Sequence, residues 1–83
     1  MTYALKTTNS FLRDLKMCKK RGYDMEKLWG IIGKLLQGEP LPASCKLHKL
    51  SGNHKGEWEC HIAPDWLLIW DQNDTELILL MLA

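Results

Sequence analysis

The sequence holds no stretch long and apolar enough to cross a bilayer. Its longest apolar run, LILLMLA at positions 77–83, is seven residues, against the ~20 that a membrane-spanning helix needs. No basic-then-apolar leader opens the chain. There is no CxxC pair: the three cysteines, Cys18, Cys45 and Cys60, are odd in number and widely spaced. That spacing excludes a disulfide framework and is read most simply as reduced thiols. These absences together point to a cytoplasmic chain. An excess of charge of one sign is also missing. Eleven basic residues face ten acidic ones, for a net charge of +1, so overall charge does not announce a nucleic-acid binder. Basic character exists only in clusters, KMCKKR at 16–21 and the lysines from Lys46 to Lys55. Repeats and low-complexity tracts are absent.

What is present fits one small domain spanning residues 1–83. A chain of this length buries roughly 60% of its unfolded surface, so its stability is modest. Hydrophobic residues make up 46% and charged residues 25%, which argues for a globular fold and against disorder. TYALK alternates and suits a first strand. TTNS offers capping side chains ahead of FLRDLKMCKKRG, where Phe11, Leu12, Leu15 and Cys18 recur at helical spacing and Gly22 supplies a stop. Lysines and Arg21 in its last turn complement the helix dipole. Asp24 is placed to cap a second helix, MEKLWGIIGKLLQG, with a stripe of Met25, Leu28, Trp29, Ile32, Leu35 and Leu36. Gly30 and Gly33 inside it cost ~1 kcal/mol each in helix propensity, which close packing against a neighbour would explain.

EPLPAS breaks regular structure with two prolines. The period then changes to two. EWECHI sets Trp58, Cys60 and Ile62 on one face and Glu57, Glu59 and His61 on the other. WLLIW reads as a buried central strand, DQNDT as a hairpin loop and ELILLMLA as the last strand. The order is β-α-α-β-β-β. It predicts an α+β fold: an antiparallel sheet with two helices packed on one face.

The chemistry gathers between the proline loop and the turn at Pro64. His48, His54 and His61 all lie there, and Asp65 follows Pro64. A His–Asp pair at a strand end can orient an imidazole for proton transfer, although a histidine taken singly suits a surface position and Asp65 suits a turn. Zinc competes for the same residue types. No pair shows zinc-knuckle spacing, however, and Cys60 alternates away from His61. Cys60 shares the apolar face with Trp58 and Ile62, which makes it a buried, unreactive thiol. Trp29, Trp58 and Trp70 read as core. Trp66, at the entrance of its strand, is the tryptophan that could also serve a site.

These motifs carry a resemblance. KKRGYDMEKL, GEPLP, HKLSGNHKG and above all ECHIAPDWLLIW resemble the YafQ branch of the RelE/ParE superfamily of bacterial type II toxin–antitoxin toxins, over essentially the whole chain. The resemblance implies a RelE-like fold and a ribosome-dependent mRNA endoribonuclease. That chemistry uses the RNA 2′-hydroxyl as nucleophile and needs no metal or other cofactor. It implies His48, His61 and Asp65 as catalytic residues and Lys49, Lys55 and Trp66 as RNA-binding ones. The implied partners are a cognate antitoxin, the ribosome and mRNA, with operator DNA reached only through the antitoxin and no membrane. Two departures stand out. Relatives often carry Arg where this chain has Trp58, and they continue with a segment like TGTHSDLF, whose histidine is an acid–base group, where this sequence stops at Ala83. The second predicts weakened or absent cleavage. The alternative is a non-catalytic module that binds antitoxin and represses the shared operon. A ParE-like gyrase poison is disfavoured by the paired histidines.

Overall fold

The computed structural model describes residues 2–51 and 56–83. β1 (Ala4–Thr7) leads into α1 (Asn9–Lys20) and α2 (Met25–Leu36); a single 3-10 turn (Ala43–Cys45) precedes β2 (His48–Lys49), β3 (Trp58–Ala63), β4 (Trp66–Gln72) and β5 (Glu76–Leu82). The sheet order is β1-β5-β4-β3-β2. The fold is therefore α+β, as the sequence predicts, with two differences in the sheet.

First, the sheet is mixed, because β1 runs parallel to β5. The two helices and strands β2 to β4 intervene between β1 and β5, and three antiparallel reversals leave β5 running in the same direction as β1. Second, β2 adds a fifth strand. It is only two residues long and pairs antiparallel with β3, so it has no periodicity of its own to betray it.

The helices start where side chains can cap them. Thr8 accepts a hydrogen bond from the Phe11 N–H at 3.0 Å and donates one to the Leu80 carbonyl at 2.7 Å, tying the start of α1 to β5. Asp14 adds a second tie by accepting the Leu82 N–H at 3.0 Å. Asp24 caps α2 by accepting from the Lys27 N–H at 3.2 Å. Gly22 and Gly38 close the two helices with positive φ (78° and 71°), a conformation natural only to glycine. Because Thr8 serves both the helix and the sheet, Thr8→Ala is expected to cost about 1–2 kcal/mol. Urea denaturation checks this: a midpoint unchanged from wild type contradicts the dual role.

One core joins the layers. Phe11 of α1 and Leu28, Ile31 and Ile32 of α2 pack on Cys60, Ile62, Trp66, Leu68, Trp70, Leu77, Leu79 and Leu82 of the sheet. The alternation predicted for β3 and β4 is present, with Cys60 and Ile62 inward and His61 on the other face. Three helix positions differ from expectation. Trp29 is 47% exposed and Leu12 48% exposed, while Ile31, outside the predicted stripe, is buried. α2 is apolar around most of its circumference, so pattern alone leaves its rotation undecided. The packing explanation for Gly30 and Gly33 also fails within the chain: a Cβ at either would meet nothing within 4 Å.

Candidate active site

The polar end of β3 assembles the site. His48 on β2 lies opposite Glu59 on β3, and its Nε2 is 3.1 Å from Glu59 Oε1. On the other side of the ring, Nδ1 is 2.8 Å from the Lys46 carbonyl. A carbonyl only accepts, so Nδ1 carries the hydrogen there, and Nε2 bonds the carboxylate when it too holds a proton. Both ring nitrogens are thus engaged, Nδ1 by the Lys46 carbonyl and Nε2 by the Glu59 carboxylate, which fixes the plane of the ring. Lys46 makes this bend possible: it sits in the left-handed region with φ 48°, strained for a residue with a side chain.

His61 follows Glu59 by two residues and so shares its face of the strand. A register irregularity between His61 and Ala63 marks the end of β3; bulges of this kind re-aim side chains at sheet rims. His61 Nδ1 faces the Pro64 carbonyl at a long 3.4 Å. With Nδ1 turned to that acceptor, Nε2 has no hydrogen-bond partner among the described residues. Asp65 is exposed in the turn that Pro64 opens. It lines a cavity of about 370 Å³ with Tyr23, Asp24, Lys27 and Trp66. His61 lines a neighbouring groove of about 470 Å³, and Lys27, Ala63 and Pro64 border both. His48 thus meets Glu59, His61 lies two residues further along the same face of β3, and Asp65 follows Pro64 in the turn. Among the described residues no direct hydrogen bond joins the three predicted catalytic side chains. Glu59 is the member that sequence reasoning left without a role. Its place on the polar face was legible; its partner was not, because the β2–β3 register is a tertiary fact.

The predicted RNA-binding residues divide. Lys49 is exposed, with Nζ 5.4 Å from the centre of the Trp58 ring. That cation–π contact holds the ammonium group on the sheet surface near the site. Lys55 lies outside the described residues, as does His54. Trp66 requires a correction. It is only 4% exposed, it meets Tyr23 edge to face at 4.9 Å, and its buried indole N–H has no partner among the described residues. Its parity on β4 puts it with Leu68 and Trp70 on the core side, so it supports the turn from beneath and has no free face for a base.

Cys60 fits its predicted inert role. It is fully buried, and its pKa is pushed from 9.0 up to about 12 by burial first, then by Cys45 and Glu59. The raised value favours the neutral thiol in the folded state. Stability from this group is therefore complete below pH 9.0 and is lost as pH rises toward about 12. Iodoacetamide, which needs thiolate, is expected to spare Cys60 in the native protein at pH 8 and to label it after denaturation. Mass spectrometry distinguishes the sites, and native labelling of Cys60 at the rate of a free thiol contradicts the burial. No group of three or more metal-ligating side chains occurs among the described residues.

Comparison with known proteins bears on what this surface does. Residues 3–83 match the family model described as the bacterial toxin of type II toxin–antitoxin system, YafQ. The mRNA interferase toxin YafQ of Escherichia coli strain K12 is 38% identical over 68 residues, which cover 81% of this chain and 74% of that protein. The crystal structure of YafQ from E. coli strain BL21(DE3) superposes with a TM-score of 0.92 at 33% identity, covering 98% of this chain and 91% of that one. YafQ in the E. coli DinJ–YafQ toxin–antitoxin complex gives 0.91 at 32% identity, covering 100% and 92%.

Proposed function

The chain belongs to the YafQ family of bacterial type II toxin–antitoxin toxins, and we propose that it is itself an mRNA interferase, with a cognate antitoxin as its partner and the cytoplasm as its place of action. The observation that carries this reading is the His48–Glu59–His61 row on the exposed face of the sheet edge, with Asp65 in the adjoining turn.

The reaction is an internal transesterification of RNA. His61, whose Nε2 has no partner among the described residues, takes the proton from a 2′-hydroxyl as its oxygen attacks the neighbouring phosphorus. The O2′–P bond forms and the P–O5′ bond breaks. His48, protonated on both nitrogens, is the acid: its Nε2–H turns from Glu59 to the departing 5′-oxygen and transfers its proton there, leaving a neutral imidazole. The products are a 2′,3′-cyclic phosphate and a 5′-hydroxyl end, with protons and charge balanced between the two imidazoles. Lys49 and Lys55 supply positive charge for the crowded phosphorane. Asp65 is placed at the rim, where its carboxylate can hold a ribose hydroxyl or steady the turn that presents His61. No cofactor enters these steps.

The test is primer extension on a ribosome-programmed message with the purified chain, run with chelator. Cleavage giving cyclic-phosphate ends supports the interferase reading. Antitoxin binding with no cleavage supports a module that binds and co-represses.

A further inference from the structure

Among the described residues, Lys46 is the one non-glycine whose backbone has a positive φ, with φ 48° and ψ 49°. That left-handed conformation presses Cβ toward the following carbonyl. It suits glycine, and after it asparagine and aspartate. A lysine gains nothing from it locally. Strain of this kind persists where the surroundings over-determine it, and it gathers at sites where the geometry is used. Here both sides of the residue are fixed. Before it, the 3-10 turn closes with the Lys46 N–H donating to the Ala43 carbonyl at 3.1 Å, and Cys45 anchors that turn in the core. After it, His48 and Lys49 are registered against Glu59 and Trp58 of β3.

The consequence is the direction of one carbonyl. In a strand the C=O lies in the plane of the sheet and points at a neighbouring strand, while side chains stand off the face. At the extended ψ of about 135° the Lys46 carbonyl would follow that pattern. At ψ 49° it is turned by roughly 90° from it, and it meets His48 Nδ1 at 2.8 Å. The His48 side chain is 48% exposed, so packing alone does not hold it. Its orientation comes from two bonds, one to this carbonyl and one from Nε2 to Glu59 at 3.1 Å.

We infer that Lys46 is a positioning residue for His48 and acts through its backbone. The left-handed turn aims the Lys46 carbonyl at Nδ1, and this directs Nε2 along the face of β3 that carries Glu59 and His61. The inference rests on the acid role proposed for His48. It makes the side chain at position 46 secondary to the φ that it tolerates. A lysine that held phosphate by its ammonium group would show the reverse.

The experiment compares Lys46→Gly, Lys46→Asn and Lys46→Val in the full chain. All three remove the ammonium group. Glycine and asparagine enter the left-handed region readily, and a β-branched residue does not. The Gly and Asn variants are expected to cleave within about threefold of the wild-type rate. In Lys46→Val, kcat is expected to fall about 100-fold with KM nearly unchanged, the loss that a small misplacement of a reacting group brings. Three-bond Hα–Hβ couplings of His48, measured by NMR without RNA, are expected to report one rotamer in wild type, Gly and Asn, and averaging in Val. Circular dichroism and urea midpoints verify folding, and Lys46→Thr is the second β-branched variant if Lys46→Val does not fold. Gly and Asn losing as much rate as the β-branched variant overturns the inference and assigns the effect to the ammonium group. A β-branched variant with wild-type kcat, or with His48 couplings unchanged, overturns it as well. If His48→Ala cleaves as wild type does, the acid role itself fails and takes the inference with it. When His48→Ala is slow and the β-branched variant is not, only the positioning role fails.

Discussion

His61→Ala is expected to lower the rate of message cleavage by about 10²–10⁴-fold, the range that a positioned acid–base group supplies, while leaving the fold as stable as wild type. The two halves of the expectation have separate grounds. His61 is only half-buried on the polar face of β3, and its one described side-chain contact is the long 3.4 Å approach to the Pro64 carbonyl. Removing it therefore opens no cavity in the core and strands no tight hydrogen bond. What it removes is the imidazole proposed as the base, whose Nε2 has no partner among the described residues. His48→Ala is expected to fall in the same range. Glu59→Gln should cost less, because an amide oxygen can still accept from the imidazole and hold the ring. Single-turnover primer extension on programmed ribosomes measures all three, with urea midpoints as the control. If His61→Ala cleaves at the wild-type rate, the histidine row is not the catalytic centre. If Glu59→Gln loses as much as His48→Ala, Glu59 does more than hold the ring.

The parts of this architecture that could be read in advance are those decided by local chemistry. The period-two alternation from Trp58 to Ile62 gave the correct inward and outward faces of β3. Asp24 and the threonine-rich stretch before Phe11 gave the caps. The parts that could not be read depend on partners distant in sequence. β1 pairs with β5 across more than sixty residues, and no feature of TYALK specifies a parallel neighbour. β2 exists only because His48 and Lys49 meet β3. The rotation of α2, which buries Ile31 and exposes Trp29, is set by the sheet beneath a helix that is apolar on nearly every side. The site follows the same division. His48, His61 and Asp65 stood out by residue type, but the role of Glu59 appears only once His48 is seen 3.1 Å away.

Trp66 separates a binding role from a structural one, and the two roles predict opposite behaviour from a pair of substitutions. Trp66→Ala removes a large, 96%-buried ring (4% exposed) from the core and its edge-to-face contact with Tyr23 at 4.9 Å. A loss of about 3–5 kcal/mol is expected, a large share of the 5–15 kcal/mol that holds typical domains folded. Trp66→Phe keeps an aromatic ring against Tyr23 and eliminates a buried indole N–H that has no partner among the described residues. A buried orphan donor costs about 1–3 kcal/mol, so its removal offsets much of the packing lost with the smaller ring. The Phe variant is then expected within about 1 kcal/mol of wild type and with near-normal cleavage. Differential scanning calorimetry resolves the contrast, since each kcal/mol moves the midpoint by about 4–8 °C in a domain of this size. Should Trp66→Ala melt at the wild-type temperature yet fail to cleave, the ring would be acting on RNA and not on the core. The burial instead makes Trp66 the support that holds the Pro64–Asp65 turn in place, so activity in these variants should track the folded fraction alone.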